Sequence, residues 1–417
     1  MAGEGVAAAL ADASRDGGAV LASLVRQCGG NLELAEDALQ DAYEVALHDW
    51  ASSGVPREPV AWLRTTARRK AIDRIRREAT GRDKQELLAR LESTEPPAPA
   101  GFTGSALHDD QLRLVFCCAH PALSVDSQIA LTLRAVGGLQ TTDIAASFLV
   151  PEPTMAQRIV RAKKKVSRAG IPFRMPADDE LADRLATVLG VLYLIFTAGH
   201  HSRSDGALVR TDLCEEAIRL TRQLAELLAE EDEVAGLLAL MLLQHSRRSA
   251  RIDSDGRPVP LDEQDRELWD LPMMLEGTRM VTAAVRRGQP GSYQLQAAIA
   301  AVHGSARDAG DTDWDRILAL YDEVLRRTPS AMVELNRTVA VTMANGPESG
   351  SAALCELRER RPELETLHLT HTTDAEILRR LGREGDAAES LRRALELAPN
   401  PAERTYIELR LAGLSTR

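Results

Sequence analysis

From residue 13 onward, apolar residues return every three or four positions with few interruptions, which predicts a succession of amphipathic helices. Val20, Leu21 and Leu24 mark the first. Gly29-Gly30 breaks it, and Asn31 is a good N-cap for a second that carries Leu34, Ala35, Ala38, Leu39, Ala42, Val45 and Ala46. After the polar stretch ASSGVPREP, Leu63, Ala67, Ala71 and Ile75 recur every fourth residue, joined by Trp62 and Ile72. Residues 79–106 lose the pattern, and ESTEPPAPAGFTGSA reads as an extended linker. Periodicity returns at Leu107. A helix then ends near Gly137-Gly138, a short one runs from about Thr142 to Phe148, a turn falls at Leu149-Val150-Pro151, and a last helix spans Glu152 to about Arg168. That spacing is a helix-turn-helix, with Pro153 in the first turn of the last helix, where a missing N–H is harmless. Beyond Pro176, helices are expected over 179–198, 212–229, 232–250 and roughly 262–287. Pro329, Pro362 and Pro399 then each close an amphipathic helix, 33 and 37 residues apart, near the tetratricopeptide period; Ala387, Ala394 and Pro399 fit its small-residue and proline positions.

Composition agrees with this pattern. Aromatic residues are only 3% of 417, β-branched clusters are few, and Ala, Leu and Arg abound, so an all-α fold in several domains is expected. No run of about 18 uncharged apolar residues and no signal peptide is read, which suits a cytoplasmic protein without a membrane partner. The five cysteines (Cys28, Cys117, Cys118, Cys214, Cys355) are scattered and suit buried, reduced thiols.

Charge changes the picture more. The formal net charge is -11, yet residues 1–175 hold 22 Lys/Arg against 21 Asp/Glu, leaving 29 against 41 for residues 176–417. The N-terminal positive charge gathers in two helices. Seven Lys or Arg lie within the fourteen residues Arg64–Arg77, against Asp73 alone, and six lie in RIVRAKKKVSR at 158–168. Two basic helices on a near-neutral background are a footprint for polyanions, although a charge run is also what a solvated face looks like. The helix-turn-helix favours nucleic acid by placing Thr154, Ala156, Gln157, Arg158 and Arg161 near the leading end of its second helix. The second helix of the chain presents the opposite character, with Glu33, Glu36, Asp37, Gln40, Asp41 and Glu44 on its polar face.

Other constellations carry less. LRLVFCCAH reads as an apolar helix rather than a zinc site, because no second ligand pair stands at finger spacing. His200-His201 with Asp205, and His368 with His371, read as packing or capping. No phosphate loop, nucleophile elbow or H-E-x-x-H is found, so neither an enzyme nor a cofactor is implied.

Residues 20–78, through AEDALQDAYEVA and AWLRTTARRKAIDRIRR, resemble region 2 of the sigma-70 family, and 107–170 resemble its region 4. The absence of a third domain between them is similar to the extracytoplasmic-function (ECF) subgroup of bacterial sigma factors. VLYLIFTAGH, DLCEEAIRLTRQL, LLALMLLQHSRR, YQLQAAIAAVH and DTDWDRILALYDEVL resemble a branch with a fused tetratricopeptide-like extension. The similarity covers nearly the whole chain beyond the first dozen residues. It implies a region 2 domain at 13–80, a linker at 81–106, a region 4 domain at 107–172, a helical extension at 173–290 and repeats at 291–417.

The resemblance also implies partners: core RNA polymerase, through the clamp helices of its largest subunit and the flap of the second, and promoter DNA. The repeats would take a protein or peptide ligand. Asp37, Gln40 and Asp41 would meet the clamp helices. Arg68, Arg69, Asp73, Arg76 and Arg77 would engage the minus-10 element where the duplex opens. Thr154, Gln157, Arg158, Arg161 and Lys164 would read the minus-35 element, with Lys163 near phosphates. Many relatives carry Asn in an A-R-N-x-A-I-D pattern where this chain has Arg69, which puts the preferred minus-10 base in doubt. Glu92, Glu95, Asp109 and Asp110 would make the linker acidic and RNA-like, and a solvated tether fits the same composition. The expected function is promoter recognition and opening as a sigma factor, with the extension regulating activity. A promoter-binding regulator that never replaces sigma, and a scaffold built on the repeats, stay open as alternatives.

Overall fold

The computed structural model describes residues 17–78, 104–148, 150–200, 211–253, 257–288, 290–398 and 401–415, with a few positions before residue 17. Among these residues the regular structure is all helical apart from short 3-10 turns and one isolated bridge, Ile252 to Pro258. They fall into two compact units, Met1–Ala198 and Gly199–Arg417. The linker over 81–106 lies outside the described residues up to its last positions, as do Glu92, Glu95, His201, Asp205 and Pro399.

In the first unit, α1 (Gly17–Gln27), α2 (Leu32–Ser53) and α3 (Pro59–Glu78) pack together. The left-handed backbone at Gly29 (φ 66) and Gly30 (φ 89) lets the chain reverse, and Asn31 caps α2 by accepting from the Leu34 N–H at 3.0 Å. The stripes meet as the periodicity requires. Leu32, Ala35, Ala38, Leu39, Ala42, Ala46 and Trp50 on α2 are buried, as are Leu63, Ala67, Ala71 and Ile75 on α3. Trp50 and Trp62 close the end of this pair edge to face at 5.5 Å.

Next come α4 (Gly104–Cys118), α5 (Val125–Ala135), α6 (Thr141–Ser147), α7 (Glu152–Arg168) and α8 (Asp178–His200). The helix-turn-helix is α6 and α7, and α7 packs Met155, Ile159, Ala162 and Val166 inward against α5 and α6. This group is seated on the first: α4 packs along α1, and α7 touches α2. Gly18 permits the approach, since a Cβ there would lie 2.3 Å from the Val136 carbonyl oxygen. Asp110 belongs to α4 rather than to an acidic linker. It is 2% exposed and accepts from Arg26 (2.7 Å) and Arg113 (2.8 Å). By length and composition α8 could cross a membrane, but Leu185, Val188, Leu189, Leu192, Ile195 and Phe196 are buried at helical spacing, as in a core helix.

The second unit centres on α10 (Asp232–His245), apolar and buried nearly all round, and surrounded by α9 (Thr211–Leu227), α11 (Leu271–Arg287) and α12 (Ser292–Ser305). Glu233 of α10 accepts from the Tyr293 and Gln294 N–H groups, capping α12 from a neighbouring helix. The helices expected over 232–250 and from 262 are shorter than their periodicity suggests. α10 stops at His245, where the Ser246 hydroxyl bonds the Leu243 carbonyl. Asp270 caps the true start of α11 through the Met273 N–H. Between them the chain makes two 3-10 turns.

Six further helices follow: α13 (Trp314–Arg327), α14 (Ala331–Asn345), α15 (Pro347–Arg360), α16 (His368–Arg380), α17 (Glu384–Leu397) and α18 (Pro401–Ser415). Each packs on the next. Ala387 and Ala394 are fully buried where α16, α17 and α18 meet around Leu391 and Ile407.

Candidate nucleic-acid interface

The buried stripes of α3 and α7 dictate what each helix turns outward. On α7, with Met155, Ile159, Ala162 and Val166 inside, Thr154, Gln157, Arg161 and Lys164 are left exposed at three- and four-residue steps, a single face of one helix. Lys165 and Arg168 in its last turn complement the negative end of the helix dipole. Arg158 is set apart. It is half-buried, and its guanidinium lies 3.5 Å from the Asp126 carboxylate of α5.

On α3 the same geometry exposes Arg69, Asp73, Arg76 and Arg77, while Arg68 is half-buried. The Arg77 guanidinium donates to the Asp73 backbone carbonyl at 3.2 Å. Burial lowers the pKa of Arg64, on the inner edge of the helix. The exposed face carries three guanidiniums, of Arg69, Arg76 and Arg77, beside the single carboxylate of Asp73.

Asp37 and Gln40 of α2 are exposed and Asp41 is half-buried. Asp37 meets Arg74 of α3 at 2.8 Å, joining the acidic helix to the basic one. Burial raises the Asp37 pKa, against the opposing pull of Arg74 and Lys163.

Sequence reasoning missed the residue that ties the two halves of this unit together. Glu36, largely buried, forms an ion pair with Lys163 of α7 at 2.5 Å and accepts a hydrogen bond from Arg134 of α5 at 3.2 Å. Lys163 is thereby turned toward α2 rather than outward with Lys164, which corrects its assignment to the phosphate-facing group. A signal existed, because Glu36 stands beside Ala35 and Leu39 at the margin of the buried stripe, where an acid is half-covered by whatever packs there. Close to this seam lies a cavity of about 340 Å³, lined among others by Gly30, Asn31, Glu33, Lys163 and Phe173.

The cysteines hold no reactive thiolate in this region. Cys117 and Cys118 are buried in the last turn of α4, and burial pushes Cys117 up to about 11 and Cys28 up to about 12. Cys355, expected to be buried with the others, is exposed.

Comparison with known proteins agrees with this division. Residues 18–80 match the family described as sigma-70 region 2, and residues 117–166 match sigma-70 region 4. Residues 184–285 match a family of unknown function, DUF6596. An uncharacterized protein of Rhizobium meliloti (strain 1021) is 44% identical over 387 residues, covering 92% of this chain and 91% of that one. The region 2 match ends two residues beyond α3, the region 4 match takes in α6 and α7 up to Val166, and the remaining match begins within α8. The chain belongs to the sigma-70 family, in the ECF-type arrangement of regions 2 and 4 followed by a fused helical extension.

Proposed function

We propose that the chain acts in the cytoplasm as a promoter-specificity subunit that binds core RNA polymerase, recognises the minus-35 and minus-10 elements and promotes opening of the DNA, without catalysing a reaction itself. Membership of the sigma-70 family supports promoter recognition; the residue assignments are this reading's own. One observation carries them: the face of α7 formed by Thr154, Gln157, Arg161 and Lys164 is exposed on the second helix of a helix-turn-helix, where base edges and phosphates are met. Gln157 and Arg158 would read bases, with Arg158 leaving Asp126 to do so. Arg161 and Lys164 would hold phosphates. Arg68, Arg69, Arg76 and Arg77 would grip the displaced strand at minus-10 with Asp73 beside them, and Asp37, Gln40 and Asp41 would meet the polymerase clamp. In this reading region 2 occupies 13–80, region 4 107–172, and the extension divides near 290 into a regulatory segment and a tetratricopeptide-like array that holds a protein or peptide.

Run-off transcription with purified chain and core polymerase tests it. The chain should confer initiation by itself, and Arg161→Glu with Lys164→Glu should abolish it while binding to core polymerase persists. Reversal at Asp37 and Asp41 should abolish core binding, and initiation with it, while promoter DNA binding by the chain persists. Initiation only in the presence of another sigma subunit would replace this reading with that of an accessory regulator, and no effect on transcription would leave a scaffold.

A further inference from the structure

The acidic second unit contains a knot of positive charge that the carboxylates of its described residues pair only in part. It is built by the segment HSRRSAR at 245–251, which leaves α10 through a 3-10 turn, and by Arg266 and Trp269, which return just before α11. The return is pinned by the Asp270 N–H donating to the Ser246 carbonyl at 2.8 Å and by the Val259 N–H donating to the Arg251 carbonyl at 2.8 Å. The Arg266 guanidinium lies 4.6 Å from the centre of the Trp269 ring and that of Arg247 5.9 Å, so two like charges share one indole. Arg266 also donates to the His303 and Ala306 carbonyls at the end of α12, and Arg251 to the His200 carbonyl.

The acids nearby are engaged or distant. Asp270 receives Arg248 at 3.0 Å and the Met273 N–H. Asp308 and Asp311 act on Arg266, and among the described residues the Cys214 thiol is the one acidic group that acts on Arg251. Among the described residues no carboxylate pairs with Arg247 or Arg251, and the Arg247 guanidinium makes no hydrogen bond, its backbone carbonyl alone accepting from the Ala250 N–H. Closely surrounded by protein, Arg247 and Arg251 are pulled down to about 10, by burial first and in Arg247 then by the neighbouring guanidiniums. His245 and His303, held down to about 4, add no charge near neutrality but oppose none either. The Trp269 indole N–H is buried without a partner. Desolvated like charges destabilise a fold unless a counter-charge joins them, and here both arginines keep some exposure through which one can enter.

We propose that Arg247 and Arg251, with Arg266 and Trp269 as their support, form a binding site for a phosphoryl group, carried by free phosphate or by a small phosphate ester. Two guanidinium forks supply several N–H donors and two charges, which suit a tetrahedral dianion better than a single carboxylate. The site belongs to the segment matched by the family of unknown function and is independent of the promoter-recognition reading.

The test is calorimetric titration of the full chain with inorganic phosphate, adenosine monophosphate and acetate at constant ionic strength, with thermal shift alongside. Phosphate or the monophosphate should bind saturably in the millimolar range or tighter, with acetate weaker. Arg247→Met and Arg251→Met should each weaken binding by about tenfold or more. Arg247→Lys, which keeps the charge and loses the fork, guards against misfolding and should weaken it less. Arg279→Met, at an exposed position of α11, should leave it unchanged. Tighter binding of the monophosphate than of phosphate assigns an ester ligand, and equal binding assigns free phosphate. Saturable binding of neither, equal binding of acetate, or equal loss in Arg279→Met overturns the proposal.

Discussion

Replacing Gly18 with Ala sets a methyl group 2.3 Å from the Val136 carbonyl oxygen, with the carbonyl carbon at 3.1 Å. Because the obstacle is backbone, no rotamer change relieves it, and α1 must separate from the end of α5. Overpacking of this kind costs about 1–3 kcal/mol. The same substitution favours the helix itself by about 0.5–1 kcal/mol, since Gly18 lies within α1. The two effects act on different things, the first on the seating of residues 104–168 against residues 17–78 and the second on α1 alone. Glu36→Gln tests the same seam without a clash. It leaves Lys163 and Arg134, both largely covered, without their acid, and the loss of the ion pair together with the charge of the Arg134 hydrogen bond is worth about 1.5–3 kcal/mol. Amide hydrogen exchange on the full chain should therefore quicken in α4, α5 and the face of α1 in both variants, while the α2–α3 pair keeps its protection. Freeing Lys163 also adds one cation to α7, so the dependence of DNA affinity on salt should steepen by about 0.9 in log–log slope for Glu36→Gln. Wild-type exchange rates in α4 and α5 of both variants would refute the reasoning, because the seam would then contribute nothing in solution.

Four other perturbations have signs fixed by the structure. Asp110→Asn should destabilise the first unit by about 1.5–3 kcal/mol in urea unfolding, since a buried carboxylate holding Arg26 and Arg113 becomes neutral. Gly236→Ala should lower the melting temperature, because its Cβ would meet the Gln294 backbone nitrogen at 2.8 Å, an overpacking cost of about 1–3 kcal/mol. Gly190→Ala should raise it by the equivalent of about 0.5–1 kcal/mol, as nothing lies within 4 Å of that Cβ in α8. His245 is fully buried and pushed by that burial, and then by Arg248, down to about 4 from an ordinary 6.5. The unfolded chain binds its proton first, so the stability is intact above 6.5 and lost as pH falls toward 4, up to about 3 kcal/mol for this group. Its imidazole should show no NMR titration above pH 5, and a midpoint near 6.5 would contradict the burial.

How much was legible beforehand follows the range of each interaction. The spacing of Leu63, Ala67, Ala71 and Ile75, or of Met155, Ile159, Ala162 and Val166, is local, and it fixed which arginines face outward before any tertiary contact was known. The bounds Glu152–Arg168 were likewise readable, because the turn and Pro153 act within a few residues. Glu36, Asp110 and the knot at Arg247 were not. Glu36 shares a polar face with Glu33, Asp37 and Glu44, and only the arrival of α5 and α7, about a hundred residues later, separates it from its neighbours. Asp110 sits beside Gln111 ahead of an apolar helix, and its distance from Leu114 and Cys117 places it on their buried side once α1 covers it. The segment after His245 was read through as helix because its charges give no periodic warning; the chain leaves helix there when Ser246 takes the Leu243 carbonyl and the Asp270 N–H takes that of Ser246. In each case the unread residue is a charge whose partner is remote in sequence. Two of the three, Glu36 and Asp110, found an opposite charge across the first unit, adding to the packing of α4 on α1. In the third, Asp270 takes Arg248, while among the described residues no carboxylate pairs with Arg247 or Arg251, and that remainder is what the proposed phosphoryl ligand would answer.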